Sequence, residues 1–193
     1  MPLELKTSTG RARFPAAQAL FRSLGVPGLE YCDIDEELNE RQLALLNEYD
    51  VVYLTGGDPV VFRRNIRQHG LAERLGACVT AGRLLVAASG GAMQLTKNVS
   101  LCRLLSGTVD DVVGAHADYE GLSIVGYEIL PHLNRLDAPF LERVRRYSEL
   151  LPHDVIALED GAAMIHAGVG SPRCTGRAVR FRRGIESSID EAA

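Results

Sequence analysis

No apolar run in this chain approaches the roughly 20 residues that a membrane-spanning helix needs, and its N-terminus has no signal-peptide core. The expectation is a cytoplasmic protein with no membrane partner. A strong basic balance is missing too: the net charge is −4, which offers no field for nucleic acid. Cysteine is sparse and scattered. Cys32, Cys78, Cys102 and Cys174 make no CxxC pair, so the reading is reduced, mostly buried thiols, with neither a zinc site nor a disulfide framework. Neither GxGxxG nor GxxxxGK[ST] occurs, which argues against a dinucleotide or phosphate loop, and no cofactor or metal is expected. Internal repeats and low-complexity linkers are absent as well. What remains is 193 residues of ordinary globular composition, 46% apolar and 24% charged, read as one domain spanning 1–193 with a sizeable core.

The chain alternates short apolar runs with amphipathic stretches. Strands are expected at Leu3–Thr7, Leu29–Cys32, Val51–Leu54 and Leu84–Ala88. Helices are expected at Arg13–Leu24, at Glu37–Tyr49 with Asp35 as cap, at Val60–His69 and at Leu71–Ala81. This βαβα order predicts a doubly wound, mostly parallel sheet flanked by helices, with ligands at the carboxyl ends of the strands. Between Thr96 and Gly121 the pattern degrades into a long loop with a partial helix. It resumes with a strand over Leu122–Leu130, a helix over Ala138–Leu151 and a strand over Val155–Leu158. Ala162–Ala167 with Arg177–Phe181 reads as a terminal hairpin, and the tail from Glu186 as frayed.

The stretch from Leu84 to Leu95 carries the chemistry. Its continuous apolar run suits a strand covered on both faces, and Ser89 follows between Ala87 and Gly91 with Gly90 beside it. Small-x-Ser-x-small is the pattern of a nucleophile elbow, a tight strand-to-helix turn in which larger neighbours would strike the backbone. A helix starting near Gly91 would aim N–H groups and partial positive charge at a developing oxyanion. The competing reading is a flexible turn with a capping serine. A second loop, Thr55-Gly56-Gly57-Asp58-Pro59, ends the preceding strand at the same sheet edge, so the N–H groups of Gly57 and Gly90 can form a two-donor oxyanion hole.

A serine nucleophile needs a base. His132 directly follows an expected strand, as Ser89 does, whereas His69, His116, His153 and His166 lack that placement. Glu159 and Asp160 follow the next buried strand, and either carboxylate could orient the imidazole. Consecutive residues point opposite ways, so only one of them can do so. Asp58 reads equally as a pocket carboxylate for a substrate amine or as the cap of the helix beginning at Pro59. Arg143 and Arg145 are candidates for gripping a substrate carboxylate.

With these residues in view, the chain resembles the peptidase E and cyanophycinase family of serine peptidases, which has the class I glutamine amidotransferase-like fold. The resemblance rests on Leu54-Thr55-Gly56-Gly57-Asp58, on Ala87-Ala88-Ser89-Gly90-Gly91-Ala92, on Pro131-His132 and on Leu158-Glu159-Asp160-Gly161. It implies Ser89 as nucleophile, His132 as base, Glu159 as orienting acid and Gly57 with Gly90 as oxyanion donors. Gly90 stands where the family usually has alanine, and Asp58 is the cyanophycinase-like choice where peptidase E has asparagine. The N-terminus looks shorter than the family's, as though its first strand were missing, leaving a sheet edge open or completed by a second copy in a homodimer. The implied activity is hydrolysis of dipeptides or short peptides with an acidic residue at the scissile bond. Cyanophycinase-like or carboxypeptidase-type specificity is an alternative, as is a noncatalytic binding or regulatory domain on the same fold. Glutamine amide hydrolysis is disfavoured, because that chemistry places a cysteine where this chain has Ser89.

Overall fold

The computed structural model describes residues 2–6, 14–26, 28–167 and 172–189. Thr7 and Arg13, at the ends of two expected elements, lie outside them. The chain divides into two compact units, Met1–Leu95 and Thr96–Ala193.

In the first unit four strands, β1 (Pro2–Lys6), β2 (Glu30–Asp33), β3 (Val51–Leu54) and β4 (Leu84–Ala87), form an all-parallel sheet in the order β2-β1-β3-β4. Parallel neighbours cannot be joined by tight turns, so the connections run through helices. These are α1 (Phe14–Ser23), α2 (Glu40–Glu48), α3 (Pro59–Gln68) and α4 (Leu71–Thr80), followed after β4 by α5 (Gly90–Gln94). Val52 and Leu54 of β3 are fully buried, as are Phe62 of α3 and Leu71 and Leu75 of α4. Removing such side chains from water is the main favourable term in folding.

The strand expected from Leu3 is present and central, since β1 pairs with β2 on one side and β3 on the other. Two expectations change here. The strand before Ser89 is an edge strand of this sheet, and Leu84 is 57% exposed rather than buried on both faces. Asn39 caps α2 instead of Asp35, because Asn39 and Gln42 close a reciprocal capping box. The Asp35 carboxylate is instead bonded by Asn65 Nδ2 at 2.5 Å.

The second unit holds β5 (Glu128–Leu130), β6 (Val155–Leu158), β7 (Ala163–Ile165), β8 (Arg173–Thr175), β9 (Ala178–Arg182) and β10 (Ile185–Ile189), with helices α6 (Val109–Gly114) and α7 (Ala138–Glu149). Its main sheet runs β10-β9-β6-β5; β5 and β6 are parallel and the other pairs antiparallel. The terminal hairpin is therefore β9–β10, while Ala163–Ile165 pairs with Arg173–Thr175 in a separate ribbon. Glu186–Ile189 of the tail expected to fray belongs to β10, and residues 190–193 lie outside the described residues. β5 is shorter than expected because Ser123 adopts φ 53° and its N–H turns aside to Thr96 O.

Glu128, at the head of β5, is completely buried. Its carboxylate lies 2.8 Å from His153 Nε2 and 3.4 Å from His116 Nε2, and Tyr147 OH donates to it at 3.1 and 3.2 Å. A buried carboxylate persists only with such donors around it. Burial beside Glu128 also pushes the Tyr147 phenol well above its ordinary range.

Candidate active site

Ser89 has φ 51° and ψ −123°, a conformation that side-chain-bearing residues rarely adopt. The residues around it show what holds it there. The Ala88 N–H donates to Leu54 O at 2.9 Å, tying the turn to the end of β3. A Cβ added at Gly91 would lie 2.6 Å from Leu54 O and closer still to Thr55 O, and one at Gly90 would collide with Gly57 O. A Cβ at Gly56 would sit 3.1 Å from Ser89 Cβ and 3.5 Å from Ser89 Oγ. The two glycine-bearing loops therefore abut backbone to backbone, at separations only glycine permits. Glycine at position 90 follows from the closeness of Gly57 O.

The helix behind Ser89 is a single five-residue turn, too short for a large dipole. Its Gly91 and Ala92 N–H groups donate to Ala88 O and that of Met93 to Ser89 O, so what it offers is the Gly90 N–H alone. Among the described residues, neither Gly57 N–H nor Gly90 N–H has a backbone acceptor in these turns. Ser89 makes no capping hydrogen bond through its hydroxyl, so the capping-serine reading does not describe it. Gln94 is 1% exposed, and its amide donates to Gly90 O at 2.9 Å and Pro59 O at 3.0 Å. It braces the elbow against α3.

In the second unit, strand register explains where His132 and Asp160 stand. Leu130 of β5 pairs with Ala157 of β6 in parallel, so the residues just beyond both strands emerge side by side. His132 and Asp160 occupy those positions. His132 has left-handed φ 65°, and its Nδ1 lies 2.6 Å from Asp160 Oδ1. With Nδ1–H donating to a carboxylate, the neutral ring keeps Nε2 as an acceptor, the form a general base requires. The hydrogen bond from His132 holds the Asp160 carboxyl below the usual carboxylate range, with Arg135 and Asn134 adding to the effect.

Glu159 points elsewhere. Its carboxylate takes Arg177 Nη1 at 3.0 Å, and its N–H donates to Arg177 O. The carboxylate beside His132 is thus Asp160, the other of the two candidates, and Glu159 lies beside Arg177. Neighbouring residues project to opposite sides, and the paired strands β6 and β9 deliver Arg177 to the Glu159 side.

The remaining candidates have other partners. Asp58 accepts the Val60 and Val61 N–H groups at 2.8 and 3.0 Å and caps α3. Arg143 donates through Nε to Leu104 O at 3.1 Å and packs over the Phe140 ring, on the wall of a cleft of ≈ 440 Å³ shared with Arg146, Ser106 and Thr108. Arg145 pairs with Glu142 and, at 2.7 Å, with Glu186 of β10. Gln94, Asn134 and Arg135 had no signal in the sequence as single residues. Their only mark was proximity to the Ser89 and His132 segments.

No group of His, Cys, Asp and Glu among the described residues is arranged to hold a metal. No helix among them is long and apolar enough to cross a membrane.

Residues 14–170 match peptidase family S51. An uncharacterized peptidase of Listeria monocytogenes is 27% identical over 127 residues, covering 66% of this chain and 60% of that protein. One of Pasteurella multocida is 23% identical over 111 residues, covering 55% of this chain and 52% of that protein. The chain thus spans between about half and three fifths of these curated relatives. Among solved structures, a candidate peptidase E of Listeria monocytogenes EGD-e aligns with TM-score 0.67 and 18% identity, covering 100% of this chain and 86% of that one. A peptidase from an acI-B1 actinobacterium aligns with TM-score 0.71 and 18% identity, covering 99% and 81%. At that identity the likeness is one of fold, in agreement with the α/β architecture expected from the strand order. Since the family match runs through the glycine loop, the Ser89 elbow, His132 and Asp160, the chain belongs to peptidase family S51.

Proposed function

We propose that the chain is a serine peptidase in which Ser89 is the nucleophile, His132 the general base and Asp160 the orienting acid. The observation that carries this reading is the backbone of Ser89. A serine at φ 51° and ψ −123° costs stability, and such strain persists mainly where surrounding packing enforces it for function. In the reaction Ser89 Oγ adds to the scissile carbonyl as His132 Nε2 takes its proton, and the Gly57 and Gly90 N–H groups receive the oxyanion. His132 then donates that proton to the leaving amine, and water releases the acyl group by the same steps. Each oxyanion donor would contribute roughly 3 kcal/mol in the transition state.

The substrates we propose are dipeptides or short peptides with an acidic residue at the scissile bond. The resemblance to peptidase E supports this choice. Asp58 and Arg145 already have structural partners, so the acidic preference does not rest on them.

A fluorophosphonate probe tests the reaction type. Labelling should map to Ser89, vanish in Ser89→Ala and drop sharply in His132→Ala. Labelling that survives Ser89→Ala, or a wild-type protein that takes no label, would sink the mechanism. A screen of Asp-X and X-Asp dipeptides, free and N-acetylated, then tests the substrate class; equal cleavage of peptides lacking any acidic residue would remove the proposed preference.

A further inference from the structure

Asp160 has more partners than an orienting acid requires. Its Oδ1 faces His132 Nδ1 at 2.6 Å. Its Oδ2 is bonded by Arg135 Nε at 2.6 Å, lies 2.6 Å from Arg135 Nη2, and receives Asn134 Nδ2 at 3.3 Å. Asn134 Oδ1 in turn accepts the Asp160 backbone N–H at 2.9 Å. The loop after β5 therefore grips the loop after β6 at both the side chain and the main chain of one residue. The left-handed turn at His132 allows this, for it folds the chain back so that the Arg135 N–H reaches His132 O at 2.8 Å.

We propose that Asn134 and Arg135 are positioning residues that fix which oxygen of Asp160 faces the imidazole of His132. A carboxylate on a short side chain can turn about its last bond, and its angle to the ring decides the strength of the hydrogen bond. Here the flat guanidinium edge and the Asn134 amide engage Oδ2, and the backbone bond sets the Cα. Only Oδ1 is left to meet Nδ1. The Arg135–Asp160 pair is 65% and 34% exposed, and an ion pair so open to solvent adds little to stability. Placement is the contribution that remains.

The neighbouring charges have partners of their own: Glu159 pairs with Arg177 one residue away, and Asp137 is engaged at the cap of α7. Arg135→Lys keeps the charge and should still lower kcat, because a point charge cannot reproduce the two-nitrogen edge. Asn134→Ala, which changes no charge, should lower kcat by about ten- to a hundredfold with KM nearly unchanged.

The role depends on the peptidase reading only for its effect on rate, so the test also needs a readout that works without turnover. The His132 Nδ1–H proton, followed by NMR across pH in the full chain, supplies one. It should resonate far downfield in the wild type, weaken or disappear in Asn134→Ala, and shift in Arg135→Gln, all with little change in thermal midpoint. If that resonance is the same in the wild type, Asn134→Ala and Arg135→Gln, the positioning role is overturned. If it responds as expected while the wild type takes no fluorophosphonate label, the positioning role stands and the peptidase reading falls.

Discussion

The Ser89 loop and the His132 loop are built by opposite means. Ser89 is held by main chain: buried Gly90 and Gly91 lie against the carbonyls of residues 54, 55 and 57, and a buried glutamine braces the turn. His132 is held by side chains in partial contact with water, through one carboxylate that also binds an asparagine and an arginine. Steric construction tolerates almost no change of volume but needs no particular pH. Polar construction tolerates substitution by the fold while depending on charge and hydrogen-bond direction. The first method suits the strained backbone of Ser89, the proposed nucleophile. The second suits His132, which as the proposed base would take up and release a proton.

The largest effect expected from breaking this contrast is at Gly91. A methyl group there would meet Leu54 O at 2.6 Å and Thr55 O closer still, and both are backbone atoms at the end of a buried strand. Gly91→Ala should cost about 3 kcal/mol or more, or prevent folding, as severe overpacking does. Urea unfolding measures it. A loss below about 1 kcal/mol would mean that the turn shifts freely and the steric description is wrong.

Ser89→Gly should act in the opposite direction. Glycine adopts positive φ without the penalty that serine bears, so the variant should gain about 1 kcal/mol while losing all fluorophosphonate labelling. Gain of stability with loss of function is the mark of strain kept for chemistry. An unchanged or lower unfolding midpoint would show that Ser89 is relaxed where it stands.

Much of this contrast could be read before the fold was known. Small residues around Ser89 and a glycine pair after a strand announce close backbone approach, because few other demands place them together. The single-turn length of α5 left no such trace, since Gly91 to Leu95 is compatible with a longer helix. Glu128 was hidden for a different reason. It sits in an otherwise apolar run, and its partners His116, Tyr147 and His153 come from three separate segments. The choice between Glu159 and Asp160 was equally out of reach locally. It is made by Arg177, which β9 carries to one side of the β6 end, and by Asn134 and Arg135 on the other. Elements follow from local pattern, whereas the partner of a polar group follows from which strands lie together.

The smallest effect on stability, paired with a large effect on rate, is expected at Asp160. Asp160→Asn should change the unfolding midpoint at pH 7 by no more than an ordinary surface substitution, because the carboxylate is solvent-accessible and its ion pair screened. The sign with pH is fixed all the same. His132, Arg135 and Asn134 hold the folded carboxyl below its ordinary value of about 3.9, so whatever Asp160 adds is present in full above that value and is lost as pH falls through the lower folded one. Wild type and variant should therefore converge in stability in strong acid and separate slightly above about pH 4. Turnover should behave differently: kcat/KM of Asp160→Asn should be lower by roughly 10³- to 10⁴-fold throughout the neutral range, since the amide no longer selects the tautomer with a basic Nε2. Glu159→Gln supplies the comparison that sharpens this assignment, and it should leave kcat/KM nearly intact. If Glu159→Gln is the variant that loses activity and Asp160→Asn keeps it, the carboxylate seen beside His132 is not the one that orients it.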